Sequence, residues 1–262
     1  MTNREIMSIA MEQSARDLCA EASDFEKEEN VIVFSGENDG ARKYLKLPFS
    51  CQLVSYGSNV VASVLPEFKE ITENYISKYS IEHLFETPNL HVLNEKLMEK
   101  GQKICFMAEY FLPDMNVIRD MTLDKALPYE IRLLTQEDFA DLYLPEWSNA
   151  LCKARKNLDV LGIGAYDKGR LIGLAGCSAD CDTMWQIGID VLPEYRRQGV
   201  ASTLTRRLAI EILNRGKVPF YCAAWSNVKS VRNAIKSGFR PAWVEMTAKP
   251  CETVDKFNRS EQ

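Results

Sequence analysis

The run Asp190-Val191-Leu192-Pro193-Glu194-Tyr195-Arg196-Arg197-Gln198-Gly199-Val200-Ala201-Ser202 gathers residue types suited to holding an anionic group. It lies between the expected end of a strand and the expected start of a helix. A helix N-terminus presents unpaired N–H groups and a partial positive charge, so it attracts anions. Gly199 lets a bulky anion approach the backbone, and Val200 and Ala201 enter the helix with little bulk. Arg196 and Arg197 add positive charge beside the turn, which suits a pyrophosphate. The run lacks the Gly-Lys-Ser/Thr of a nucleotide P-loop and the three glycines of a dinucleotide fingerprint. Taken alone, it reads equally well as a capped helix start with two solvated arginines.

The surrounding pattern must supply the strand and the helix. Ala201, Leu204, Leu208 and Ile212 form one apolar row, which predicts an amphipathic helix over 200–214. Met184 to Val191 predicts the strand before it. Upstream, 129–134 reads as a strand, Thr135 with Asp138 as a helix start, and helical segments follow to about Asn157. Residues 160–166 and 170–177 read as a hairpin turning at Asp167-Lys168-Gly169. Downstream come a strand over 219–224, a helix over 228–237 and a strand from Phe239 to Thr247. A strand–helix–strand unit implies a parallel pair with a right-handed crossover, while the strands joined by short turns are antiparallel. The fold class expected is α/β, a mixed sheet with helices packed on it.

The first half reads as a smaller α/β domain. It has a helix near 3–22, strands at 31–34, 51–54 and 103–111, and helices at 66–78 and 89–100. Pro113 and Pro128 flank a stretch without periodicity. The expected domains are therefore 1–125 and 126–262. Two domains would place an acceptor pocket where they meet. The first half is expected to recognise the acceptor or to be a degenerate copy of the same fold.

The run Val-Leu-Pro-Glu-Tyr-Arg-Arg-Gln-Gly-Val-Ala resembles the acyl-CoA pyrophosphate loop of the GNAT family of N-acetyltransferases. Asn227-Val228-Lys229-Ser230 and Lys236-Ser237-Gly238-Phe239 resemble the family's second segment, at the right separation. The resemblance covers about 120 residues of the C-terminal half, roughly Leu127 to Lys249. It implies two parallel strands that splay apart, Met184–Val191 and Pro219–Ala224, with the thioester arm of acetyl-CoA between them. By resemblance, the backbone near Ile189 and Val191 bonds the pantetheine arm. The N–H groups of Arg197, Gln198, Gly199, Val200, Ala201 and Ser202 cradle the pyrophosphate, and Asn227 and Ser230 lie near the cofactor's distal arm.

Acyl transfer requires a deprotonated amine, a polarised carbonyl and a leaving thiolate. A thiol has a pKa near about 8.5 and leaves with little help, whereas an alkyl amine near about 10 gains more from a base. Asp190, at the end of the strand flanking the thioester, is the first candidate for that base, and Glu194 is the weaker one. The other reading of Asp190 is a strand-end Asp that caps a turn. Many family members carry a tyrosine as general acid where this chain has Ala234. Tyr221 is the candidate substitute, and its other reading is a core tyrosine with a satisfied hydroxyl. Cys222 has no histidine in the second half to activate it. Of Trp185, Trp225 and Trp243, two are expected in the core.

The chain has 262 residues, 46 % hydrophobic and 26 % charged, with formal net charge -5. That composition suits a soluble globular protein, and the acidic balance argues against nucleic acid as the main partner. No apolar run approaches the roughly 20 residues of a membrane span, so the expected location is cytoplasmic. The cysteines are scattered. The close pair Cys177 and Cys181 is far in sequence from His83 and His91, so no metal site is expected. The leading expectation is an acetyl-CoA-dependent N-acetyltransferase acting on a small-molecule or protein amine; a homodimer is compatible with it. The alternatives are a non-catalytic acyl-CoA-binding or sensor module, and a structural role carried by the first half.

Overall fold

The computed structural model describes residues 1–120 and 126–260. The expected domain boundary near residue 125 falls outside them. The chain divides into two compact units, each assembled from two stretches. The first comprises Met1–Ile9 and Tyr110–Pro241, and the second comprises Ala10–Glu109 and Ala242–Gln262.

The elements in chain order begin with α1 (Asn3–Leu18), β1 (Val31–Phe34), β2 (Cys51–Ser55) and β3 (Val61–Val64). Helices α2 (Lys69–Ile76), α3 (Ile81–Leu84) and α4 (Thr87–Met98) lead to β4 (Gln102–Pro113). Then come β5 (Glu130–Thr135), β6 (Asp159–Asp167), β7 (Arg170–Ser178), β8 (Met184–Val191), α5 (Val200–Asn214), β9 (Val218–Ala223) and α6 (Val228–Lys236). Strand β10 (Phe239–Pro250) and helix α7 (Cys251–Ser260) complete the order. Strand β3 and helices α3 and α7 add to the expected elements. No helix among the described residues is long and apolar enough to cross a membrane.

In the second unit β1 pairs parallel with β3, β3 antiparallel with β2, and β2 antiparallel with β10 through Gln52↔Thr247 to Ser55↔Val244. Strands β2 and β3 are buried at every position. Leu53, Ala62, Val64, Phe68, Leu84, Leu93, Leu97 and Met246 join in one apolar core, as expected where helices cover a sheet. Beside it lies a buried ionic network. Arg42 donates through Nε to Asp17 and through its terminal nitrogens to Tyr44 and Glu245, the last at 2.6 Å. Trp243 Nε1 donates to the same Glu245 carboxylate at 2.8 Å. Both acids and the arginine are buried. Burial pushes the Asp17 carboxyl up from its ordinary value despite the guanidinium beside it.

In the first unit β5, β6, β7 and β8 form an antiparallel series, and β8 pairs parallel with β9. The mixed sheet expected from the sequence is thus present. The helices expected between 135 and 157 are instead short 3-10 turns at Gln136–Phe139, Pro145–Trp147 and Lys153–Leu158. Thr135 and Asp138 do form the capping box, but Pro145 and the non-helical Arg155 keep restarting the chain.

Asp159 opens β6 almost fully buried, accepting a 2.8 Å bond from the Cys152 N–H. Burial raises its pKa to about 6 from 3.8. The folded state therefore holds this proton more tightly than the unfolded chain, and stability is lost as pH rises from about 4 to about 6. Asp159→Asn keeps an acceptor for Cys152 and removes the charge. Thermal unfolding should show the variant more stable than wild type at pH 7–8, by the order of 1 kcal/mol. The gap should close below pH 4; no gap at pH 8 would contradict this account.

Candidate acyl-CoA site between the parted strands

The site is made where a sheet stops being zipped. Strands β8 and β9 pair only through Met184↔Val218, Trp185↔Pro219 and Gln186↔Phe220. Beyond those pairs β8 runs on to Val191 and β9 to Ala223, unpaired with each other. On its other side β8 stays paired with β7 as far as Gly173↔Val191. The Leu192 N–H donates to the Ile172 carbonyl at 3.0 Å, which sets the phase of that ladder. In an antiparallel ladder alternate residues face the neighbour. The peptide groups of Ile189 and Val191 therefore turn away from β7 into the gap. The Val191 carbonyl there accepts from Arg196 Nε at 2.9 Å, so Arg196 closes the loop onto the strand that precedes it.

The loop after β8 makes one 3-10 turn at Pro193–Tyr195 and then adopts positive φ at Arg197 (65°) and Gly199 (92°). Alternating backbone of this kind turns successive N–H groups toward one side, a concavity that receives anions. Among the described residues no acceptor stands opposite the N–H groups of Arg197, Gln198, Gly199, Val200, Ala201 or Ser202. Gly199 occupies the N-cap of α5 and, lacking a side chain, leaves the N–H groups of the first turn uncapped. The Arg197 side chain is exposed at the same place.

Gln198 braces the loop. Its Oε1 accepts from the Tyr129 hydroxyl at 2.5 Å and its Nε2 donates to the Glu194 carbonyl at 3.3 Å. The Tyr129 ring meets Tyr195 edge-to-face at 5.6 Å, and the Tyr195 hydroxyl donates to Asp167 at 2.9 Å. Sequence reasoning missed Tyr129, because nothing local links it to a residue 69 positions away.

Helix α6 brings three expected residues together. Asn227 caps it by accepting the Ser230 N–H at 3.2 Å. The Ser230 hydroxyl lies 2.7 Å from the Tyr221 hydroxyl. Tyr221 is buried, and burial raises its pKa from the ordinary value, so it stays protonated through the neutral range. Ala234 is fully buried in the same helix and offers no hydroxyl. Cys222, next along β9, accepts from Gln186 Nε2 at 3.0 Å where the strands part. Trp243 is buried, Trp185 half-buried and Trp225 52 % exposed.

Asp190 lies close enough for its charge to act on Tyr221. Its carboxylate accepts from the Asn149 N–H (2.8 Å), the Asn149 side-chain amide (2.7 Å) and the Ala150 N–H (3.0 Å). These three bonds tie the Asn149–Ala150 segment to the strand. The segment presses on two facing glycines, Gly176↔Gly188. A Cβ on Gly188 would come within 1.8 Å of the Asn149 carbonyl oxygen, and one on Gly176 within 2.2 Å of the Ala150 carbonyl oxygen.

A model of the GNAT acetyltransferase family matches residues 29–242. Solved structures similar to this chain include a GCN5-related N-acetyltransferase-like protein from Streptococcus suis, at 20 % identity over 59 % of this chain and 67 % of that one, with a TM-score of 0.45. A GCN5-related N-acetyltransferase from Kribbella flavida is similar at 14 % identity over 62 % and 64 %, with a TM-score of 0.47. An acetyltransferase of the GNAT family from Colwellia psychrerythraea is similar at 15 % identity over 72 % and 76 %, with a TM-score of 0.43. The match spans about two thirds of the length of the first two of these chains. No curated protein matches. The family match starts at residue 29, so the expectation that the resemblance is confined to the C-terminal half is corrected. With its matched span covering most of the sequence, the chain belongs to the GNAT acetyltransferase family.

Proposed function

We propose that the protein is an N-acetyltransferase that moves the acetyl group of acetyl-CoA to an amine by direct attack. The observation that carries this reading is the coincidence of two features: strands β8 and β9 part after Gln186 and Phe220, and the loop leaving β8 ends in a cluster of N–H groups without acceptors among the described residues. The first supplies a slot with outward-facing peptide groups at Ile189 and Val191. The second supplies an anion seat at the mouth of that slot, made by Arg197 to Ser202 with Arg196 bracing it.

Acetyl-CoA brings an acyl carbon already activated as a thioester. The amine nitrogen bonds to that carbon, the carbon–sulfur bond breaks, the amine gives up a proton and the thiolate gains one. Peptide N–H groups lining the gap polarise the carbonyl. The protonated Tyr221, linked to Ser230, sits on the α6 side and offers the leaving sulfur a proton source. Asn227 orders the start of that helix. With Asp190 engaged by three donors, the reading assigns no side-chain base, and the amine attacks in its neutral form after losing its proton to water. Use of acetyl-CoA suits a cytoplasmic protein.

The test is turnover. Purified protein, acetyl-CoA and a panel of polyamines, aminoglycosides and lysine peptides should release CoA thiol with at least one acceptor. For that acceptor kcat/KM should rise about tenfold per pH unit from 6 to 9, following the neutral fraction of an amine near about 10. A plateau beginning near pH 5–6 would reveal a carboxylate base and overturn the proton route. Binding of acetyl-CoA without turnover of any amine would favour an acyl-CoA-binding module.

A further inference from the structure

The side of β8 that bears Gly188 and Asp190 is covered by a segment with almost no secondary structure, Ser148–Leu151. Three observations show that this segment is built into its place. Trp147, Ala150 and Leu151 are buried in a small apolar cluster with Leu134, Phe139 and Leu174. The two backbone N–H groups and the side-chain amide at Asn149–Ala150 all end on one carboxylate. The strand beneath carries glycine where the Asn149 carbonyl rests, and any Cβ would evict it. Helix α5 packs on β7 through the opposite side, where a Cβ on Gly173 would meet Val200 and Leu204. In a strand, residues two apart share a face, so Gly188 and Asp190 face the segment together. Both belong to the part of β8 that has left β9.

We propose that Asp190 is a positioning residue. It straps Ser148–Ala150 across the bare backbone of Gly188 and so builds the wall that closes the acceptor side of the parted strands against water. This rests on the acetyl-transfer reading given above. A carboxylate suits the task because it accepts several N–H bonds at once and strengthens each with its charge. Without it three donors lose their acceptor, and only the burial of Trp147, Ala150 and Leu151 holds the segment. Exclusion of water matters here because water competes with the amine for the thioester.

The strap and the base roles predict opposite signs, so acetyl-CoA hydrolysis with water as the only acceptor separates them. Asp190→Ala should speed hydrolysis several-fold, because the wall lifts away. Amide hydrogen exchange across residues 147–151 should accelerate by at least about tenfold. Binding of acetyl-CoA, measured by calorimetric titration, should stay within about twofold of wild type, since the N–H cluster at Gly199 is untouched. Gly188→Ala removes no carboxylate, yet should give the same three results by pushing the Asn149 carbonyl off the strand. Slower hydrolysis in Asp190→Ala would mean that the carboxylate works as a base and overturns the proposal. So would unchanged exchange in 147–151, or accelerated exchange with hydrolysis at the wild-type rate. Absence of acetyl-CoA binding by the wild-type protein would instead remove the acetyl-transfer reading, and the exchange measurement would still decide whether the strap exists.

Discussion

Replacing Gly199 with glutamate is expected to abolish measurable binding of acetyl-CoA. Gly199 sits at φ 92° on the N-cap of α5, in the left-handed region where a side chain costs about 1–2 kcal/mol. A glutamate there also sets a negative charge among the N–H groups of residues 197–202, where a phosphate would lie. Hydrogen bonds to charged groups contribute about 1.5–3 kcal/mol each. Losing two of them amounts to roughly 100-fold or more in affinity. Calorimetric titration of wild type, Gly199→Ala and Gly199→Glu separates the parts. The alanine variant carries the backbone cost alone and should lose about tenfold, whereas the glutamate variant should show no heat of binding. Equal binding by wild type and the glutamate variant would reduce the loop to an ordinary helix start.

Arg42→Met is expected to be the most destabilising single change in the second unit. Arg42 is the cation shared by two buried carboxylates, Asp17 and Glu245. A methionine fills much of the volume but leaves both acids without their counter-ion. Removing one partner from a buried ionic cluster typically costs about 3–5 kcal/mol, because the remaining charge stays desolvated. Burial already raises the Asp17 carboxyl, and loss of the guanidinium pushes it further. The deficit should therefore be full at neutral pH and shrink as the acids become protonated in mild acid. Chemical denaturation at pH 7 and pH 4.5 tests both parts. Adding Asp17→Asn to the variant should restore part of the loss, since the two sites share one network. A deficit below about 1 kcal/mol at pH 7 would show that Gln13, Gln52, Trp243 and the backbone N–H of residue 42 hold the acids without the guanidinium.

Elements fixed by local periodicity were legible. The apolar row of α5 and the hairpin of β6 and β7 follow from local patterns, and the parallel pair β8–β9 from the strand–helix–strand order. The 136–158 region was not legible, because Thr135–Asp138 gives a genuine capping signal that the following residues do not extend into a helix. Strand β3 has no alternation to betray it, since all four positions are buried. The loop at 196–202 could be picked out because its chemistry is consecutive in sequence. The residues that hold it and its strand in place could not: Tyr129 reaches Gln198 from 69 positions away, and Asn149 reaches Asp190 from 41. The role of Asp190 shows the same limit. Its place at a strand end suggested a base or a turn cap, and nothing local announced the three donors from Asn149 and Ala150.

Each compact unit is drawn from two separated stretches of chain, and this orders events during synthesis. Strand β2 emerges from the ribosome long before β10, the strand it pairs with through Gln52↔Thr247. Arg42 waits still longer for its second carboxylate, 203 positions on. The second unit therefore spends most of translation with an open strand edge and an incomplete ionic network. Contacts of such long sequence separation form slowly, and exposed strand edges in that interval invite association between chains. Nearly all of the first unit is made within the interval. A nascent chain stalled before residue 242 is accordingly the species that most needs a chaperone, and chains released there should aggregate although nearly all of the first unit has been made.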